Sequence, residues 1–138
     1  MSLKDFPPAL RAFLLADATL STAVGTSRIY PGEMPQGVTL QSLVYQEISN
    51  QGDHHMEGAS GLSRPRYQVT AWAPTRDAAR ALALLAKERL DGYRGVMGSG
   101  GAAVTVNGVF FESSQDMKDD VAKLFGRAMD FFIWFDER

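Results

Sequence analysis

The stretch RYQVTAWAPTRDAARALALLAKERL, residues 66–90, changes its periodicity at Pro74. Before Pro74, side chains of different polarity alternate, which is typical of a β-strand with one buried face. After it, apolar residues recur at helical spacing behind Thr75, which is a suitable N-cap. We therefore predict a strand over 64–73 and an amphipathic helix that ends before Gly92. The apolar side of this helix comprises Ala78, Ala81, Leu82, Leu85, Ala86 and Leu90.

The sequence before this stretch predicts two helical segments and two strands. Apolar residues at helical spacing indicate a helix over 7–17 and a further turn over 18–24. A brief extended piece over 28–30 follows, and the β-branched run over 43–48 predicts a strand. Residues 50–63 contain three glycines and almost no large apolar side chain. We predict a long polar loop there, a kind of loop that is usually functional or mobile.

The sequence after the helix predicts further strands. Four glycines over 95–101 indicate a flexible connector. The apolar run over 104–111 surrounds an Asn-Gly pair, which predicts a β-hairpin, and a single bulged strand is the alternative. Residues 112–120 are polar and predict a loop or turn, and residues 124–135 alternate as a long final strand.

This order of elements predicts one domain over residues 1–138. Helices and strands are mixed without an alternating βαβ pattern, so we expect an α+β fold. It would be a mainly antiparallel β-sheet of about four to five strands, with two α-helices packed on one face. The composition, 45% hydrophobic and 22% charged, is that of an ordinary globular protein.

Composition and charge exclude several classes of function. The formal net charge is −2 and no basic cluster is visible, which disfavours a surface-wide nucleic-acid binder. The absence of cysteine excludes disulfides, thiolate metal sites and cysteine nucleophiles. The first residues do not resemble a signal peptide, and no apolar run approaches the ~20 residues of a membrane span.

The groups that suggest chemistry do not form a recognisable site. The pair His54-His55 lies near Asp53 and Glu57, but adjacent residues of an extended segment point apart and the usual metal spacings are absent. The glycine-rich run over 98–101 lacks the ending of a phosphate loop. Acidic residues over 112–120 are interrupted by lysine. We therefore predict no enzyme activity, no catalytic residue, no cofactor and no metal ion.

Apolar side chains at positions where solvent is expected are more informative. Trp72 shares a strand face with polar residues, Phe132 and Trp134 share one with Asp130, and Leu84 lies on the charged side of its helix. Several such residues on one sheet face would form a patch of the kind that contacts partners, unless a loop of the same chain covers them. The candidate subunit or partner interface comprises His54, His55, Met56, Glu57, Trp72, Leu84, Asp116, Met117, Phe132 and Trp134.

The order of short motifs resembles a known family. The opening motifs are Leu20–Val24, Arg28-Ile29-Tyr30-Pro31 and Leu43–Ser49, the middle motifs are Arg66–Val69, Trp72-Ala73 and Leu90–Gly95, and the closing motifs are Gly108, Phe111-Glu112, Asp116 and Asp130–Trp134. In this order they resemble the phage tail-completion, or head–tail joining, family, formerly a domain of unknown function. The chain departs from the family at Gln41-Ser42-Leu43, where a Pro-Tyr pair is common, and at Met117-Lys118, where a Tyr-Glu pair is common.

The resemblance implies a structural function. It implies a tail terminator that forms a ring, typically a hexamer, at the head-proximal end of the tail tube and joins it to the head connector. Its partners would be copies of itself, the major tail tube protein and the connector or stopper protein, and DNA would pass through the lumen without sequence-specific binding. The protein would be made in the bacterial cytoplasm and reside in the virion of a phage, a prophage or a gene transfer agent.

Two other functions stay open at this point. One is a small-molecule-binding α+β module, which would have a deep pocket with converging polar groups. The other is a regulatory protein that acts as a dimer. If the resemblance holds, we expect the two predicted loops, 50–63 and 112–120, to order on contact with the tube or the connector.

Overall fold

The computed structural model describes residues 6–25, 27–32, 37, 40–49, 52–55, 58–100, 103–121 and 123–136. Within these residues the chain forms three helices and eight strands, and the predicted α+β class is confirmed. The helices are α1 (Phe6–Leu15), α2 (Ala18–Ala23) and α3 (Arg76–Leu90). The strands are β1 (Ile29–Pro31), β2 (Ser42–Ser49), β3 (Gly52–His55), β4 (Gly58–Ser63), β5 (Arg66–Ala73), β6 (Gly95–Met97), β7 (Val104–Asp119) and β8 (Leu124–Asp136).

The final strand, β8, organises the sheet. On one edge it pairs antiparallel with β5, from Arg66 opposite Phe132 to Ala73 opposite Phe125, and beyond that with the end of β4. On its other edge it pairs antiparallel with β7 over almost its whole length. Strand β2 continues the sheet beyond β5, and β1 joins β2 as the one parallel pair of the described sheet.

The helices cover one face of this sheet. Along α3 the side chains of Ala79, Leu82, Ala83, Ala86 and Leu90 are buried. The prediction for the helix itself is confirmed, but its buried side lacks Leu85, which is half-buried, and includes Ala79 and Ala83 in place of Ala78 and Ala81. The assignment was ambiguous because alanine occupies all four positions, so the sequence alone defined the buried side poorly. Small side chains allow the helix to approach the sheet closely.

Local signals fix where the helices begin and end. The Thr75 hydroxyl accepts a hydrogen bond from the backbone N–H of Ala78 at 3.1 Å, as expected of an N-cap. Gly92 follows the helix with a φ of 78°, a conformation that glycine adopts without steric cost. The Asp17 carboxylate caps α2 by accepting from the N–H groups of Thr19 and Leu20 at 2.9 and 3.3 Å.

The core lies between the helices and the covered sheet face. Phe6 of α1 packs edge-on against Tyr67 of β5, with ring centroids 5.2 Å apart, and stacks on Phe135 of β8 at 4.9 Å. Phe131 is fully buried between these strands and the helices. Arg89 of α3 donates two hydrogen bonds to the Phe13 carbonyl, which ties the end of α3 to α1.

The predicted hairpin over 104–111 is wrong, and its alternative, a single bulged strand, is confirmed. Strand β7 runs continuously, with a register shift between Val106 and Gly108. Val106 and Val109 are both buried although they are three residues apart, a spacing that places side chains on opposite faces of a regular strand. The extra residue of the bulge therefore brings both side chains to the covered face. The predicted loop over 112–120 is also wrong, because these polar residues continue β7 to Asp119 as an edge strand.

Other predicted irregular segments also contain strands. The predicted loop over 50–63 is wrong, since β3 and β4 form an antiparallel hairpin in which His55 pairs with Gly58. The connector over 95–101 contains β6, which pairs with the start of β7. These additions explain why the sheet has more strands than the expected four to five, and α2 adds a third helix to the expected two. Most of these strands are polar or contain glycine, so they lack the apolar alternation by which strands are predicted from sequence.

Candidate interaction surface on the open face of the sheet

The sheet has a second face that no described helix covers, and we call it the open face. Strand alternation places Arg66, Gln68 and Trp72 of β5 on this face, next to Phe132 and Trp134 of β8. All five side chains are half-buried. Phe110 of β7 lies directly opposite Phe132 and is 56% exposed. The open face therefore carries the aromatic side chains that alternation predicts for it.

Arginines lie against these aromatic rings. The Arg64 guanidinium is 5.1 Å from the centroid of the Trp134 ring, and the Arg66 guanidinium is 5.8 Å from that of Phe132. Such contacts between a cation and a ring are attractive and favour this arrangement of the side chains. The cluster on the open face is thus both aromatic and cationic.

Asp130 neutralises only one of the two arginines. Its carboxylate accepts a hydrogen bond from Arg66 at 2.5 Å and one from the Gln68 amide at 3.3 Å. The hydrogen bond to Asp130, with the charge of that carboxylate, raises the pKa of Arg66 above its usual value. Arg64 has no carboxylate within salt-bridge distance among the described residues.

A pocket of 550 Å³ opens among these side chains, and we call it the arginine–aromatic pocket. It is lined by Ser49, Arg64, Arg66, Phe110, Phe132 and Trp134. The Nε atoms of Arg64 and Arg66 are buried and donate to no acceptor in the described part of the chain. Buried donors of this kind are costly to leave unpaired. The pocket therefore suits a partner that brings hydrogen-bond acceptors together with apolar surface.

Trp72 lies on the open face but outside this pocket. Its indole covers Gly126 of β8, so closely that a Cβ on that glycine would lie 2.8 Å from the Trp72 ring. Met117 of β7 pairs with Gly126 and alternation places it on the same face. Trp72 and Met117 therefore form a second apolar site on the open face, toward the other end of β8.

Asp116 belongs to an ion-pair cluster near the N-terminus of α3. Its carboxylate accepts from Arg127 at 2.7 Å and from Arg76 at 3.2 Å. The hydrogen bond from Arg127, with smaller contributions from the charges of Arg127, Arg76 and Arg80, lowers the pKa of Asp116. Partial burial opposes this shift but is outweighed. A partner that used this carboxylate would compete with two arginines of the same chain.

The remaining predicted interface residues lie elsewhere. Leu84 is 59% exposed on α3, on the helical side of the molecule. His54 and His55 lie in β3, whereas Met56 and Glu57 lie outside the described residues. The described members of the predicted set thus do not form one patch, and among them only Phe132 and Trp134 lie together in the pocket. Sequence reasoning missed Arg64 and Phe110, although the alternation of β7 in its bulged form would have placed Phe110 outside the core.

Two further features, a metal site and a membrane-spanning helix, were sought in the described residues. No group of three or more His, Asp or Glu side chains among them could hold a metal ion. None of the helices formed by those residues has the length and apolarity to cross a bilayer. A small α+β domain with an arginine–aromatic patch on an uncovered sheet face has the kind of surface that is enriched at contacts between proteins.

Comparison with known proteins identifies the family. A family model for tail completion protein gp17 matches residues 8–136, which is nearly the whole chain. The chain belongs to this family and is a structural protein of phage-type tails. The resemblance drawn from the ordered motifs is therefore confirmed.

A solved structure shares the fold. It is a chain of the virion of a native gene transfer agent (GTA) particle, with a TM-score of 0.67 and 19% sequence identity. The match covers 94% of this chain and 92% of the other. No curated protein sequence matches this chain.

Proposed function

We propose that this chain is a tail terminator subunit. Copies form a ring, a hexamer, at the head-proximal end of the tail tube, and the ring joins the tube to the head connector. The proposal is supported by the family and by the likeness to a chain of a virion particle. The protein resides in the virion tail after synthesis in the cytoplasm of the bacterial host.

The observation that carries the proposal is the arginine–aromatic pocket. Phe110, Phe132 and Trp134 expose apolar surface beside two cationic side chains, an arrangement that is enriched at protein interfaces. No described element of the chain covers it. A structural subunit that binds other proteins needs such a surface, and the rigid sheet holds this surface in a fixed shape.

Five of the predicted interface residues divide between two surfaces. The first is the open face, with Trp72, Met117, Phe132 and Trp134. The second is the helical side, with Leu84. A subunit between the tail tube and the connector needs more than one contact surface, because it binds copies of itself and two further proteins. His54, His55, Met56 and Glu57 belong to the β3–β4 segment, which we propose as a further contact.

The function is mechanical and involves no catalysis. DNA passes through the lumen of the ring without sequence-specific binding. A net charge of −2 suits this role, since firm binding to phosphates requires several unpaired cationic side chains.

Deletion of the gene from a particle-producing strain tests the proposal. Without this chain, we expect tails of uncontrolled length or tails that do not join heads, as seen by negative-stain electron microscopy. Wild-type protein supplied in trans should restore normal particles. Tails of normal length joined to heads in the deletion strain would contradict the proposed function.

Variants then test the surface. The double variant Phe132→Ser/Trp134→Ser should fold, by circular dichroism, and should fail to restore particles. Ala81→Ser, at an exposed position of α3, is the control and should restore them. Full restoration by the double variant would show that the pocket has no role in assembly.

A further inference from the structure

Arg64 is the unmatched cation of the arginine–aromatic pocket. The neighbouring Arg66 is balanced by Asp130, whose two carboxylate oxygens accept from Arg66 and from the Gln68 amide. The salt bridges of the described residues include none to Arg64, whose guanidinium lies over the Trp134 ring instead. A charge that is partly withdrawn from water is stabilised by an opposite charge close to it. The pocket therefore has a place for one further negative group, beside Arg64.

The two guanidinium groups also present unused donors. The Nε atoms of Arg64 and Arg66 are buried and have no acceptor in the described part of the chain. An unpaired buried donor costs free energy, which an incoming acceptor would recover. A carboxylate suits a guanidinium better than a neutral acceptor does, because the planar fork of N–H donors matches its two oxygens and the charges attract.

The surroundings favour a single carboxylate over a run of phosphates. The pKa of Arg66 is raised first by its hydrogen bond to Asp130 and, to a smaller extent, by the charge of Glu112, so two carboxylates already act on the pocket. A nucleic-acid strand carries one negative charge per nucleotide and would be repelled by both of them. One carboxylate, in contrast, can pair with Arg64 and bring no further charge.

The walls of the pocket indicate what accompanies this carboxylate. Phe110, Phe132 and Trp134 line the pocket beside the arginines, and Phe110 is 56% exposed. The volume of 550 Å³ lies within the range of about 300–1,000 Å³ that is common for ligand sites. Burial of an apolar group against these rings is favourable in proportion to the area removed from water. A segment that carries an apolar side chain next to its carboxylate therefore uses both parts of the pocket.

We propose that the arginine–aromatic pocket is the docking site for an acidic segment of another particle protein, whose carboxylate binds Arg64 while the adjacent apolar side chain packs against Phe110. Charge complementarity with the unmatched guanidinium selects the carboxylate, and the three rings select the apolar neighbour. The inference rests on the proposed function only for the source of the segment, a protein of the tail or of the connector. The donors and rings that would bind it are features of the fold.

Carbodiimide crosslinking in assembled particles tests the carboxylate directly. This reagent joins an amine to a carboxylate in contact with it and leaves guanidinium groups unchanged. Arg64→Lys keeps the positive charge and supplies the amine. Arg94→Lys is the matched control, because Arg94 is exposed between α3 and β6, away from the pocket. Mass spectrometry of digested particles identifies the joined residues.

We expect the amine at position 64 to be joined to a carboxylate of a different particle protein, at least tenfold more often than the amine at position 94. Equal yields at the two positions would overturn the inference, as would crosslinks from position 64 to its own subunit alone, for example to Asp130. Crosslinks to a second copy of this chain would assign the pocket to the contact between subunits and overturn the choice of partner. Wild-type particles that lack this chain would contradict the proposed function instead, and peptide binding then decides the inference.

Peptide binding to the isolated chain tests the pocket without particles. The probes are a capped tetrapeptide with phenylalanine beside aspartate, the same peptide with asparagine in place of aspartate, and a short oligothymidylate. NMR of the Nε–H groups of Arg64 and Arg66 reports on the two buried donors. We expect the acidic peptide to shift both signals saturably and to bind at least tenfold more tightly than the asparagine peptide, because hydrogen bonds to charged groups are the stronger ones.

Variants of the isolated chain assign this binding to the pocket. Arg64→Gln should weaken the acidic peptide at least tenfold, whereas Arg94→Gln should leave its affinity unchanged. The absence of a saturable shift, or equal affinities for the two peptides, would overturn the inference while the proposed function stands. Tighter binding of the oligothymidylate than of the acidic peptide would also overturn it, since the pocket would then select nucleic acid.

Discussion

The indole ring of Trp72 lies flat against the backbone of Gly126 on the neighbouring strand. A Cβ at residue 126 would come within 2.8 to 3.1 Å of three atoms of the ring, which leaves no space for any side chain. Aromatic side chains that cover a cross-strand glycine stabilise sheets in this way. Trp72 is therefore a packing residue of its own subunit, in addition to any contact it makes with a partner.

This relationship predicts the effect of Gly126→Ala. The added methyl group must displace the Trp72 ring, and overpacking of this kind costs about 1–3 kcal/mol of unfolding free energy. Urea unfolding followed by near-UV circular dichroism measures the loss and the altered environment of the indole. In a Trp72→Ala background the same substitution should cost little. Equal costs in the two backgrounds would show that the ring is not what excludes a side chain.

Two phenylalanines on opposite faces of the sheet should contribute very differently to the free energy of unfolding. Phe131 and Phe110 lie on β8 and β7, one fully buried and the other 56% exposed. Phe131→Ala removes a core side chain and should cost about 3–5 kcal/mol, whereas Phe110→Ala should change the unfolding free energy by less than about 1 kcal/mol. Chemical denaturation compares them directly. Similar losses would mean that the open face is as tightly packed as the core.

The sequence predicted those elements whose side chains follow a clear period. The strand over 64–73, α3 with its Thr75 cap, and the long final strand all carry such a period, and the structure contains each of them. The second half of β7 and the β3–β4 hairpin have no such period. Their strands are recognisable only from their backbone pairing with neighbouring strands. A neighbour in space is not visible in local sequence, and polar edge strands therefore resemble loops.

The candidate site was predictable only in part. Phe132 and Trp134 could be assigned to an outward face because β8 alternates regularly. Phe110 could not, because its face depends on whether 104–111 is a hairpin or a bulged strand. Arg64 lies before β5, and its contact with Trp134 arises from the packing of two distant segments. Such a contact depends on topology, which pattern analysis of one sequence does not supply.

The ion-pair cluster predicts a dependence of stability on pH. The pKa of Asp116 is lowered in the folded chain, first by its hydrogen bond from Arg127. Because the folded value is below the unfolded value of about 3.9, the ionised carboxylate stabilises the fold above that pH. The contribution is lost as the pH falls through the folded pKa.

NMR titration of the carboxyl carbon of Asp116 measures this pKa. We expect a midpoint below the ordinary value, and Arg127→Gln should move it upward more than Arg76→Gln does, because Arg127 also donates the strongest hydrogen bond. In Asp116→Asn the corresponding part of the acid dependence of stability should disappear. A wild-type midpoint at or above about 3.9 would show that the two arginines do not hold this carboxylate in solution.

The turn between β7 and β8 predicts a stabilising substitution. Lys123 has a φ of 56°, a left-handed conformation that costs a side-chain-bearing residue roughly 1–2 kcal/mol. Lys123→Gly relieves this strain but loses about 0.5–1 kcal/mol through the greater freedom of glycine in the unfolded chain. We expect a net gain of about 0.5 kcal/mol in urea unfolding, from the difference of these two effects. Lys118→Gly, within β7, is the control. It should destabilise the fold, because glycine loses more conformational entropy on folding and relieves no backbone strain within a strand. A loss of stability in Lys123→Gly equal to that of the control would mean that the turn does not hold residue 123 in the left-handed region.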